Sequence, residues 1–264
     1  MQYTYEELAG MIDHALLAPT LTDGELAQGC QMAARYRIAT VCVKPAGVAT
    51  AAGLLRGTPV GVGTVIGFPH GGQATAVKVF ETQTACAEGA TEVDMVINLG
   101  QAIGGNWAYV EHEIRAVADT AHARGAKLKV IFETALLAGG GGGLSGDDLK
   151  RRLCEISERA GADWVKTSTG YGQVKEPDGR FTCPGATAAD LRLMRAACSP
   201  RVQVKASGGI RDLAGVVMAR ELGCTRVGTS ATAAILDEFR RQAAGTSDPA
   251  SPATGAVGLG AAGY

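Results

Sequence analysis

Apolar residues in this chain follow two alternating periods. Short runs rich in Val, Ile and Ala fall at residues 12–16, 40–44, 60–66, 92–98, 128–133, 164–167, 202–206 and 226–228, each of strand length. The stretches between them space apolar residues three and four apart, as in Val110, Ile114, Val117 and Ala121, or Leu149, Leu153, Ile156 and Ala160. That spacing is one face of a helix. A glycine and a small residue precede several strands: Gly89-Ala90, Gly125-Ala126, Gly161-Ala162 and Gly223-Cys224. Glycine just past a helix takes the left-handed conformation that ends it, so each pair reads as helix stop and strand start. Helix starts are marked by Thr22 with Glu25, a capping box, and more weakly by Ser145 with Asp148 and Thr187 with Asp190.

Eight strand–helix units in about 240 residues are what a closed (β/α)8 barrel, the TIM-barrel architecture, requires. An open doubly wound sheet is the alternative. It would carry a phosphate loop after its first strand, and residues 12–20 have none. The expected organisation is one barrel over residues 1–242, followed by a flexible Gly/Ala/Ser/Pro-rich tail over 243–264.

Composition narrows the function classes. Hydrophobic residues at 46% and charged residues at 19% of 264 suit one large core. A formal net charge of −1 with no basic block gives no nucleic-acid footprint. No apolar run reaches the roughly 18 residues of a membrane span, and the first residues do not read as a signal peptide. Seven scattered cysteines without C-x-x-C spacing read as free thiols in a reducing cytoplasm. The four histidines also lack metal-ligand spacing. No metal site is expected.

Strand parity sorts the chemistry, because alternate side chains face opposite sides. On the fourth strand Val93, Met95 and Ile97 suit the helix layer, which leaves Asp94, Val96 and Asn98 inside. The same reading turns Lys129, Ile131 and Glu133 inward on the fifth strand, Lys166 on the sixth, and Gln203, Lys205 and Ser207 on the seventh. Cys42 points inward by parity with Thr40 and Lys44. Charges are rarely buried without pairing or a task, so the cluster is either an ion-pair network or a reaction centre. Two lysines at the exit ends of adjacent strands favour chemistry. Burial and a second ammonium both disfavour the protonated amine, freeing it to attack a carbonyl. Asp94 is placed to accept and return protons. Ser207-Gly208-Gly209 and Gly228-Thr229-Ser230 end the seventh and eighth strands, where barrels commonly bind phosphate through backbone N–H groups.

The motifs Val93-Asp94-Met95-Val96-Ile97-Asn98, Val165-Lys166-Thr167-Ser168-Thr169-Gly170 and Val204-Lys205-Ala206-Ser207-Gly208-Gly209-Ile210 closely resemble those of deoxyribose-phosphate aldolases. So do Thr64-Val65-Ile66-Gly67-Phe68-Pro69 and Arg226-Val227-Gly228-Thr229-Ser230, and the likeness runs from about Ile12 to Ile235. The resemblance implies Lys166 as Schiff-base lysine, with Asp94 and Lys205 as proton donor/acceptors. Gly170, Gly208, Gly209, Gly228 and Ser230 would line a phosphate site; Cys42, Lys129 and Glu133 remain accessory candidates. The implied reaction is reversible cleavage of 2-deoxy-D-ribose 5-phosphate to acetaldehyde and D-glyceraldehyde 3-phosphate. It implies no metal or organic cofactor, a cytoplasmic homo-oligomer (dimer or tetramer), and small sugar-phosphate and aldehyde partners. The chain departs from the family pattern at Ala15, Tyr171 and Ala231, in an insert over 172–183 and in a five-glycine loop over 139–143. Two rival readings are a ketose-directed Schiff-base barrel enzyme and a non-catalytic sugar-phosphate sensor. Finally, a tail of about twenty flexible residues reaches roughly 25 Å, far enough to bring the phenol of Tyr264 back to the barrel mouth for proton transfer.

Overall fold

The computed structural model describes residues 2–245. Eight parallel strands close into a barrel: β1 (Ile12–Leu16), β2 (Thr40–Val43), β3 (Gly61–Ile66), β4 (Glu92–Val96), β5 (Lys127–Ile131), β6 (Trp164–Lys166), β9 (Gln203–Ser207) and β10 (Arg226–Thr229). The intervening pair β7 (Val174–Lys175) and β8 (Phe181–Thr182) forms a separate antiparallel hairpin, which is what the insert after β6 becomes. Round the barrel the order is β1-β10-β9-β6-β5-β4-β3-β2. The (β/α)8 barrel expected from the sequence is the fold observed.

Helices cover the outside: α2 (Asp23–Tyr36), α3 (Val48–Leu55), α4 (Thr75–Ala87), α5 (Leu99–Ile103) with α6 (Trp107–His122), α7 (Gly146–Arg159), α8 (Ala188–Ala197), α9 (Leu213–Glu221) and α10 (Thr232–Ala243). The expected caps form: Thr22 makes a full capping box with Glu25, and the Ser145 and Thr187 hydroxyls accept from the N–H groups of Asp148 and Asp190. A short helix, α1 (Tyr5–Ala9), precedes the barrel with its own Thr4–Glu7 capping box; the apolar pattern alone had not marked it. Because α10 runs through Ala243, the expected boundary at 242 falls one residue inside a helix, and the tail beyond 245, Tyr264 included, lies outside the described residues.

Val93, Met95, Ile97, Leu128, Val130, Phe132, Val165 and Val204 all pack into the core between barrel and helices, as their parity requires. Two strands end sooner than their apolar runs suggest. Asn98 is not an inward strand residue; its side chain caps α5 by accepting from Gln101 N at 3.1 Å. Glu133 turns out of β5 into a left-handed conformation, φ 54°. In each case a polar side chain at the exit end competes with the ladder for backbone groups.

The Thr22 capping box is exposed and distant from the barrel interior. Thr22→Ala should lower unfolding free energy by about 1 kcal/mol, read from urea denaturation, with catalytic rates unchanged. An unaltered denaturation midpoint would show that the box adds nothing here.

Candidate functional site

Charged side chains from six strands meet inside the barrel in one network. Asp94 on β4 accepts from Lys166 and Lys205 on the same oxygen, at 2.9 and 2.8 Å, and from Lys129 on the other at 2.9 Å. Beneath this, Asp13 on β1 accepts from Lys205 at 2.6 Å, from Arg226 at 2.8 Å and from the Thr40 hydroxyl at 2.7 Å. Glu92 is gripped by Lys129 and by both terminal nitrogens of Arg226, at 2.8 Å each. Trp164 packs under the cluster, with the Arg226 guanidinium 5.2 Å and the Lys129 ammonium 5.6 Å from its ring.

The three lysines do not share one environment. Burial pulls the Lys166 pKa down; Asp94 opposes, and neighbouring Lys205 adds to the depression. Burial acts equally against Lys205, but Asp13 and Asp94 together outweigh it and hold that ammonium well above its ordinary value. Lys129 is raised in the same way by Asp13, Asp94 and Glu92. Both aspartates resist the upward push of burial because the surrounding lysines hold them far below the usual carboxylate range. The site therefore contains one amine biased towards its neutral form, beside a fixed cation and a fixed anion.

Higher up, the walls differ from side to side. Cys42 lies in an apolar patch with Ala15, Leu17 and Val65, and burial pushes its thiol up to about 11. It is a neutral lining group rather than a nucleophile. Parity with Thr40 holds, while Lys44 lies past the end of β2 and donates instead to Ala18 O and Pro19 O at 3.0 and 3.2 Å. Glu133 accepts from Thr169 N at 3.1 Å and from the Thr169 hydroxyl, and burial raises its pKa. On the opposite arc, Gly170, Gly208 and Gly209 follow β6 and β9, and Ser230 follows β10. Gly228 is still within β10; a Cβ there would lie 2.7 Å from Ser207 Oγ and 3.3 Å from Lys205 Cε, so its bare backbone makes room for the lysine. Helix α10 opens at Ala231 with no side-chain cap, leaving its first N–H groups turned to this rim.

Sequence reading brought together Asp94, Lys129, Lys166 and Lys205 but missed Asp13, Glu92 and Arg226. Applying the parity rule one pair lower would have found Glu92, two residues before Asp94, and Arg226, two before Gly228.

A family model described as DeoC/LacD family aldolase matches residues 8–233. The chain is 46% identical over 240 residues to the deoxyribose-phosphate aldolase of Rhodopirellula baltica, covering 91% of this chain and 92% of the relative. It is 45% identical to that of a Geobacillus strain, covering 87% of this chain and 95% of the relative. The tetrameric deoxyribose phosphate aldolase from Aeropyrum pernix superposes with a TM-score of 0.78 at 32% identity, covering 90% of this chain and 93% of that one. The chain belongs to the DeoC/LacD family of aldolases.

Proposed function

We propose that this chain reversibly cleaves 2-deoxy-D-ribose 5-phosphate to acetaldehyde and D-glyceraldehyde 3-phosphate as a class I aldolase, with Lys166 as the Schiff-base lysine. The observation that carries the assignment is the asymmetry of the network. Lys166 has a single carboxylate partner, Asp94, whereas Lys205 has two and Lys129 three. The least neutralised ammonium loses its proton most readily.

In this reading the Lys166 amine attacks C1 of the open-chain sugar. The carbinolamine loses its oxygen as water, with the proton supplied from the Lys205–Asp94 pair. The resulting iminium draws the C2–C3 electron pair as the C3 hydroxyl gives up its proton, releasing glyceraldehyde 3-phosphate. Protonation of the enamine at C2 and hydrolysis then free acetaldehyde and the lysine. The phosphate end fits the glycine-rich arc of Gly170, Gly208 and Gly209, with Gly228 behind it, the Ser230 hydroxyl, and the uncapped start of α10, where backbone N–H groups and the helix dipole favour an anion. Lys129 acts one layer down, fixing Asp94.

The chemistry needs only these side chains, in keeping with a metal-independent mechanism. All seven cysteines are unpaired, a state suited to a cytoplasmic protein. No helix among the described residues is long and apolar enough to cross a membrane. The Aeropyrum pernix tetramer motivates a homo-oligomer here as well.

Lys166→Ala should abolish cleavage and also the borohydride-trapped adduct with acetaldehyde. An adduct persisting on another lysine, located by peptide mapping, would falsify the assignment.

Lys205→Met tests the electrostatic coupling. The two ammonium groups share one Asp94 oxygen, and the positive charge of Lys205 adds to the depression of the Lys166 pKa. Removing Lys205 raises the Lys166 pKa, so less free amine exists at a given pH. The rising limb of the kcat/KM profile should move to higher pH. A lower rate with an unmoved limb would mean that Lys205 only transfers protons.

A further inference from the structure

Among the described residues, the side chain of Tyr171 crosses the mouth of the barrel. Tyr171 leaves the chain just after β6, yet its hydroxyl donates to Leu17 O, past β1, at 3.0 Å. Its ring meets that of Phe68, past β3, edge to face at 5.4 Å between centroids. In the barrel order, β10 and β9 separate β6 from β1 on one side, and β5 and β4 separate it from β3 on the other. The side chain therefore spans the opening from the glycine-rich arc to the apolar arc. It packs on the patch of Ala15, Leu17, Cys42 and Val65, and Cys42 feels the charges of Asp94, Lys205 and Lys166 directly beneath. Lys166 itself is only 2% exposed. An aldehyde that enters over the apolar patch meets this ring on its way to the amine.

The surroundings allow the ring to shift. Gly170 and Gly172 flank Tyr171, Gly170 with φ 88°, and the segment that follows is the short β7–β8 hairpin rather than a helix. The far side of the ring faces a cleft of about 280 Å3 between Pro19, Pro45, Phe68 and Pro69, space enough to receive it. The near end is anchored: Tyr171 N donates to the Thr169 hydroxyl at 2.9 Å, and Thr169 is held in turn by Glu133. The side chain can swing while its backbone stays fixed.

We propose that Tyr171 is a gate residue that selects substrates by size, latched closed by its hydroxyl on Leu17 O and its ring on Phe68. It rests on the reading of Lys166 as the Schiff-base lysine. Small aldehydes slip past the latched ring, while larger ones wait for it to open, so removing the latch relieves a barrier that bulky aldehydes feel and small ones do not.

The experiment compares the parent, Tyr171→Phe and Tyr171→Ala for the rate at which cyanoborohydride traps an adduct on Lys166, with acetaldehyde and with phenylacetaldehyde. The ratio of the phenylacetaldehyde rate to the acetaldehyde rate should rise several-fold in Tyr171→Phe, which loses only the hydroxyl, and tenfold or more in Tyr171→Ala. Tyr171→Leu replaces Tyr171→Ala if the latter does not fold. A ratio within twofold of the parent in all variants overturns the gate, since a merely structural role slows both aldehydes alike. Absence of any adduct on Lys166 in the parent overturns the Schiff-base assignment and the gate with it.

Discussion

An inequality of charge inside the barrel governs the site. Four basic groups, Lys129, Lys166, Lys205 and Arg226, face three carboxylates, Asp13, Glu92 and Asp94, across contacts buried from solvent. An uncompensated charge in such a place is costly, and shedding a proton is the cheapest relief. Arginine does not deprotonate in proteins, and Lys129 and Lys205 are each braced by more than one carboxylate. Lys166 is therefore the ammonium most readily relieved of its proton. Glu133 offers little remedy, because burial biases it towards its own neutral form, and one of its oxygens is held by Thr169. Lowering the pKa of Lys166 thus requires no special property of the residue itself, only that it stand last in line for a counter-charge.

Barrel geometry stacks this imbalance in layers. Trp164, Arg226 and Glu92 make a floor at the entering ends of the strands, and Asp13 links it to the lysines above. Strand stagger then lifts Lys166, which pairs in register with Ile131 and Lys205, above Lys129, which pairs with Asp94. That step leaves Lys166 and Lys205 one layer nearer the mouth than Lys129, between the polar glycine arc and the apolar arc of Ala15, Leu17, Cys42 and Val65. The floor serves stability and polarisation; the exit end serves chemistry, as in barrels generally.

Much of this could be read from the chain because β-strand parity is a local property. On β4, β5 and β9 apolar residues alternate with polar ones, so Asp94, Lys129 and Lys205 declare their direction. On β1 the run Ile12-Asp13-His14-Ala15-Leu16 is buried on both faces, and parity has no contrast to work with. Asp13 was invisible for that reason. Its neighbour His14 faces the other way, bonded to the Thr232 hydroxyl at 2.9 Å, and burial lowers its pKa to about 4. Glu92 and Arg226 open their strands, where polar residues ordinarily mean a turn. The crossing of the mouth by Tyr171 depends on contacts between segments some 150 residues apart, which no local period encodes.

A second buried pair, outside the barrel, bears on the same site. Lys78 on α4 and Glu113 on α6 meet at 2.7 Å with no exposure to solvent. Burial lowers the one pKa and raises the other, against their mutual attraction. Such a pair contributes little stability relative to apolar packing, so its value lies in what else it binds. The Lys78 ammonium donates to Val96 O at 2.8 Å, and Glu113 accepts from Asn98 N at 2.6 Å. These are the backbone groups at which β4 leaves the sheet, two and four residues beyond Asp94. With its end fixed by two charge-assisted bonds, β4 cannot slide along β5, and the carboxylate that three lysines share stays at their common centre. The inner network biases one amine towards its neutral form; the outer pair keeps the anion that three lysines share in place.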